Sequence, residues 1–533
     1  MLHTASVVAS GRNGNPGILL QMHRVFHSIA IAGCLVVLPG TTAPPASASD
    51  PAKNSVSLTV YSSADPAGFD PRQFLEQARG GWNSVVGVPG FGLVRETRTM
   101  QIPAGTSELA FTDVAASIDP TTVSFHDLTD PATAVLDQRF EFDLVSSDKL
   151  LDRYVDRPVS ALVDMQGGPL KVSGTLLAAR GGSLVIQHDG AIDLVPQSTS
   201  TITLGELPGG LRTRPTLLWN LSSPAGGTHQ IRLGYETGGI TWRSDYNITL
   251  DAANTKADLS AWVTLLNVCG RAFDDATLKL VAGDVQRITG SMAHTKGMRE
   301  QVSMMADRAP EGFQEKSFAE FHLYTLPRPI DVVQNASQQI ALFPSVGGVP
   351  VEKLLVYEGA AIEWGGHGQP IDGREFGQGG NTKVDVYVRL TNDKASNLGM
   401  PLPAGKMRVF QRDEADGSLE FIGEDIIKHT PRDEKVLIRL GSAFDVVGER
   451  TQTDFKIDRA RRQIVESFKI EIRNRKETPV TVLIRERLYR WNSWEITEST
   501  LPFEKVNSGA VQFTVDAAPR MVQTLTYTVR YNW

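Results

Sequence analysis

The densest group of residues able to do chemistry is Glu424-Asp425, His429, Asp433-Glu434, Asp445 and Glu449. Two carboxylates flanking a glycosidic bond supply a general acid and a base or nucleophile, and their separation sets the stereochemistry. A histidine among carboxylates is also a donor set for a divalent cation. Successive residues of a strand point to opposite faces, so Glu424 and Asp425 reach one site only if the strand is irregular there. The ordinary alternative is a strand end and the turn at Pro431, with solvated charges. The candidate catalytic residues are therefore Glu424, Asp425, His429, Asp445 and Glu449.

A second candidate is the glycine-rich run Trp364-Gly365-Gly366-His367-Gly368-Gln369-Pro370. Its indole could stack on a sugar face, and its glycines allow close approach. Trp364 and His367 are thus candidate ligand-binding residues, against the alternative of a plain loop between strands. Trp242, Trp262, Trp491 and Trp494 lie within strand patterns and read as core or interface. Met292, Met298, Met304 and Met305, with His294, suit an adaptable contact surface or a Cu(I) site. Their spacing matches no ligand motif, so a long hairpin excursion with a partly helical tip is the reading they favour.

Several signatures are absent from the sequence. There is no Gly-x-Ser-x-Gly elbow, no His-Glu-x-x-His and no phosphate-binding loop ending in Lys-Ser/Thr. The chain has 2 cysteines, Cys34 and Cys269, so cysteine-rich metal sites are excluded. Cys269 reads as a small buried hydrophobe. No cofactor is called for.

The elements that must position these residues are strands. Val56–Tyr61, Phe140–Leu144, Ile464–Ile472 and Val480–Glu486 alternate apolar and polar residues between Gly, Pro, Asn and Asp clusters. Such alternation belongs to antiparallel sheets with one wet face. Helical signals are confined to Asp70–Gly80, with an Asp cap and a first-turn Pro, and to Ser147–Tyr154, with a Ser cap. Three strands at Gly174–Ala178, Ser183–Gln187 and Ala191–Val195, joined by Gly turns, suit a small SH3-like barrel. The fold class is therefore all-β: tandem antiparallel β-sandwich-like domains, one SH3-like barrel module and few short helices. The closing alternation Tyr527, Val529, Tyr531, Trp533 echoes the last strand of an outer-membrane barrel, but a buried sandwich strand explains it as well.

The chain has 533 residues, 41% hydrophobic and 21% charged, with a net charge of -7. That length carries several domains, and that charge argues against a nucleic-acid partner. Near the start, His23-Arg24, the apolar run Ile29–Leu38, Pro39-Gly40 and Ala46-Ser47-Ala48 read as an export signal beginning at Met22. The run is too short to span a bilayer. Ile31-Ala32-Gly33-Cys34 offers an alternative, lipid anchoring through Cys34. The expected divisions are 1–48 as signal with an upstream extension, 49–157 as an N-terminal β domain and 158–208 as the barrel module. Residues 209–533 would form two further sandwiches meeting at about 330–355.

From Leu211-Arg212-Thr213-Arg214-Pro215 the chain runs into Leu233-Gly234-Tyr235-Glu236-Thr237-Gly238-Gly239-Ile240-Thr241-Trp242-Arg243 and Trp262-Val263-Thr264-Leu265-Leu266-Asn267. Pro401-Leu402-Pro403-Ala404-Gly405, Gly423-Glu424-Asp425 with His429-Thr430-Pro431, and Tyr527-Thr528-Val529-Arg530-Tyr531 follow in order. Over about 210–533 this series resembles a bacterial domain of unknown function shared with mucoidy inhibitor A-like proteins. The resemblance implies a β-rich fold and an envelope location, and it brings no catalytic residues. The coiled-coil insert of those relatives is absent.

The functional expectation is an exported cell-envelope protein, periplasmic or extracellular, acting as a non-enzymatic interaction or scaffold protein. Its partner would be an envelope protein or polysaccharide. The alternative is a glycan-binding protein or glycan hydrolase using the Glu424–Glu449 region.

Overall fold

Period-two patterning becomes strand almost everywhere that turn residues bound it. The computed structural model describes residues 54–62, 67–80, 85–142, 144–165, 168–208, 211–283, 285, 313–318, 320–360, 369–378 and 380–533. The expected signal with Cys34, the Met292–Met305 run and the loop bearing Trp364 and His367 lie outside these residues. Residues 52–533 form one compact unit.

An eight-stranded sheet has the order Gln314–Phe318, Phe321–Thr325, Phe273–Ala282, Ser55–Tyr61, Phe91–Ile102, Gly227–Thr237, Ile118–Asp127, with Ile330–Val332 joined to Phe273–Ala282. Ser55–Tyr61 is parallel to Phe273–Ala282 and antiparallel to Phe91–Ile102. Its inner face carries Leu58, Val60, Val94, Leu233 and Tyr235. These share a core with Leu109, Phe111, Leu217, Trp219 and Leu221 of a three-stranded sheet, Gly105–Thr112, Thr216–Ser223 and Ala134–Glu141. The result is a sandwich with a second, unburied face on the larger sheet.

This pairing corrects the expected division of the chain. Strands from 49–157 hydrogen-bond to strands beyond 209, so the two stretches share one sheet and one core. Residues 158–208 are an insertion between them. Parallel and crossover pairings of this kind are set by long-range burial and leave no local mark in sequence.

The inserted module is a five-stranded antiparallel sheet ordered Ser200–Thr203, Pro158–Val163, Leu170–Arg180, Ser183–His188, Ala191–Pro196. The 3-10 turn Gln197–Thr199 precedes the returning strand Ser200–Thr203. The hydrogen-bonded path stays open, because the two edge strands do not pair with each other. Its separate core takes in Leu151 and Tyr154 from the preceding helical turn.

The largest sheet has 13 strands and serves two cores. Two long strands, Ala336–Tyr357 and Lys435–Asp458, pass from one to the other. Ile340, Leu342, Val436 and Ile438 are in the first core, whereas Leu355, Tyr357 and Val446 are in the second. The boundary expected at 330–355 therefore falls inside a strand that switches cores, a device that bent sheets use at their corners.

Two short helices complete the described residues. Pro71–Ala78 starts at Asp70, whose carboxylate accepts the Arg72 amide at 3.0 Å. Ser147–Arg153 is capped by Ser146, one residue earlier than the sequence suggests. The strand expected over Phe140–Leu144 stops at Glu141, and Leu144 makes only an isolated bridge with Arg212. The last strand, Val522–Asn532, turns Tyr527, Val529 and Tyr531 into the second core.

Candidate functional site

The carboxylates singled out by sequence do not converge. The strand Leu419–Ile427 shifts register between Phe421 and Gly423, but past that shift Glu424 and Asp425 pair with the successive residues Arg408 and Met407 and so point opposite ways. Glu424 is half-exposed beside Lys406 at 3.5 Å and Arg408 at 3.6 Å. Asp425 accepts the Arg439 amide at 2.7 Å and its neighbour Ile426's amide at 2.8 Å. It thereby pins its strand against Lys435–Asp458, where the approach is so close that a Cβ on Gly423 would meet the Leu440 carbonyl oxygen at 2.5 Å. Beside it, Arg439 grips Asp385 through two 2.9 Å bonds, and Ser442 adds a third. Burial would raise the Asp385 carboxyl, but Arg439 and Ser442 outweigh it and hold it low.

The other members lie apart. His429 accepts the Ala404 amide on Nδ1 at 3.1 Å. Asp445 and Glu449 are exposed further along Lys435–Asp458, and Glu449 pairs with Arg473. Among the described residues no three His, Cys, Asp or Glu side chains form a group that could hold a metal ion. Glu424 and Glu449 pair with basic side chains and Asp425 holds backbone amides, which are structural roles.

The buried polar groups are also anchors. Asp127 and His229 meet at 2.6 Å, both buried, and Asp127 also accepts the amides of Thr129 and Asp130. The adjacent hydroxyls of Thr133 and Ser223 are bonded to each other at 3.0 Å, so the group closes a turn. Arg271 forks onto Glu96 at 2.7 and 3.0 Å and reaches the Tyr235 hydroxyl at 3.2 Å. Cys269, next to this pair, is free and fully buried; burial pushes its thiol up to about 12. Trp242 is buried as expected, while Trp262 is 36% exposed.

The surface with the makings of a site is one that sequence reading passed over. On the outer face of the eight-stranded sheet an open groove of about 580 Å³ runs across six strands. Register places its residues in rows. Lys279, Thr59, Leu93 and Glu236 are successive cross-strand neighbours. The next row holds Ser57, Arg95, Gly234 and Ser124, and Arg232 and His126 continue beyond it. At one end Tyr61 and Phe91 stack with centroids 4.4 Å apart and planes within 5°. Burial and then the Glu236 carboxylate push the Tyr61 hydroxyl up.

The chemistry of this face is mixed. Leu93 is 40% exposed although it lies mid-sheet. The cations Arg95, Arg232 and Lys279 make no ion pair with a described residue. Cross-strand neighbours about 5 Å apart form a continuous surface, and this one offers an apolar centre, aromatic edges and charged flanks. The signal was present as the polar half of Ser55–Tyr61 and Phe91–Ile102. Which strands lie side by side, and so which polar halves join, is a long-range property.

The chain matches no family model, and no curated protein is similar to it.

Proposed function

We propose that the protein is a non-enzymatic binding scaffold of the cell envelope, engaging its partner on the open face of the eight-stranded sheet. The observation that carries this reading is the composition of that face. A half-exposed leucine, Tyr61 of a stacked aromatic pair, and Arg95 and Lys279, which make no ion pair with a described residue, line one groove. Recognition sites combine an apolar floor with a few polar groups free to bond a ligand. In the Glu424–Glu449 region, by contrast, Glu424 and Glu449 are held in ion pairs and Asp425 in backbone amide bonds, on two different strands.

An envelope location is supported by the Met22–Ala48 segment and by the resemblance to the mucoidy inhibitor A-like domain, with anchoring through Cys34 as the alternative form. Among the described residues no helix is long and apolar enough to cross a membrane. Several β modules on one chain suit a scaffold that holds a recognition face at a fixed place.

In-cell crosslinking followed by affinity purification tests this reading on the native chain and on Leu93→Glu. The expected result is a stoichiometric partner that the variant loses while keeping its melting temperature. Metal-dependent turnover by the purified protein, or full retention of the partner by Leu93→Glu, overturns it.

A further inference from the structure

We infer that the groove takes an acidic polysaccharide; this rests on the proposed binding role of the open face and names its ligand class. The first reason is charge. The whole chain is acidic at -7, yet the charged side chains lining the groove are Arg95 and Lys279 against Glu236, with Asp119 next to Glu236 and Arg232 just beyond the groove. Cations that make no ion pair with a described residue, on an otherwise acidic molecule, select an anionic ligand.

The second reason is spacing. Lys279 and Arg95 are two strands apart, about 10 Å by ordinary strand separation. Arg232 lies on the strand beyond, just past the groove's end rows. The charges therefore recur along the groove rather than converging, which suits a polymer with repeated carboxylates and not a single phosphate or metal-bound anion.

The third reason is the polar floor between them. The hydroxyls of Ser57 and Thr59 make no hydrogen bond to a described residue, so they are free for sugar hydroxyls. Leu93 stands between them and Glu236 and offers the apolar contact that a pyranose face needs. Tyr61 at its end adds an aromatic face of the kind on which sugars stack, and a recess crossing a sheet admits a narrow chain better than a bilayer surface.

The test measures binding of polygalacturonate to the purified full chain by isothermal titration, with dextran as the neutral polymer and phosphatidylglycerol vesicles as the anionic membrane. Polygalacturonate should bind, weaken as salt rises, and lose at least tenfold in affinity in Arg95→Ser/Lys279→Ser. Arg95→Lys keeps the charge and should retain most of the affinity, which separates lost charge from lost fold. Absence of polygalacturonate binding, equal binding by the double variant, or binding by vesicles and not by polygalacturonate overturns the inference. If Leu93→Glu loses a protein partner in cells while polygalacturonate does not bind, the docking face stands and the glycan assignment falls. If neither occurs, both fall.

Discussion

Arg490 and Glu466 meet 2.7 Å apart with neither side chain reaching solvent. Arg490 also donates to the carbonyls of Ile371 and Gly373 at 2.9 and 2.8 Å. A parallel pair, Arg450 and Glu486 at 2.8 Å, bonds Tyr527 and the Gly377 carbonyl. Two buried guanidinium groups thus hold the 369–377 segment over the second core. A buried charge left without its partner costs about 3–5 kcal/mol.

Arg490→Met should therefore lower stability by about 3–5 kcal/mol in urea unfolding. Adding Glu466→Gln removes the stranded carboxylate, so the double variant should be less destabilised than the sum of the two single variants. Strict additivity would contradict the pairing.

Acid should weaken the first sandwich through Glu96. Burial would raise its carboxyl, but the bonds from Arg271 and Arg98 outweigh burial and hold it low. The folded value is thus below the unfolded one, about 4.3. Its contribution is present above that pH and is lost as pH falls through the folded value. Glu466 has the opposite sign, because burial raises it: its linkage term favours the fold below the unfolded value and fades as pH rises through the folded one. Melting temperature against pH should show an acid limb that flattens in Glu96→Gln; an unchanged limb would place the titrating group elsewhere.

Glu424→Gln should change stability by no more than about 0.5 kcal/mol, since its ion pairs are exposed. Asp425→Asn should cost about 1 kcal/mol, because Asp425 bonds the Arg439 amide of the neighbouring strand. A larger loss for Glu424→Gln than for Asp425→Asn would reverse these roles.

Cys269 should resist thiol reagents in the folded protein and react only with unfolding, since its thiol is fully buried and pushed up to about 12. In a Cys34→Ser background, labelling should track the urea transition. Rapid labelling in native buffer would show that the core around Arg271 opens locally.

The strands were legible where alternation is strict. Val56–Tyr61, Ile464–Ile472 and Val480–Glu486 each lie within an observed strand. The module at 158–208 was legible because its strands pair with near neighbours through Gly turns. What could not be read was partnership across distance. Leu58 and Leu278 are neighbours although 220 positions separate them, and Arg95 meets Gly234. The groove is made of such meetings. Conversely, the closeness of Glu424, Asp425 and His429 in sequence suggested a site, whereas strand alternation and a turn separate their side chains.

The central claim is that recognition occurs on the open sheet face and not at the Glu424–Glu449 carboxylates. A photo-crosslinking amino acid placed in the full chain at Leu93, and separately at Asp445, tests it in the native host. The account predicts a discrete adduct from position 93 and none from position 445. An adduct from 445 with none from 93 would contradict it.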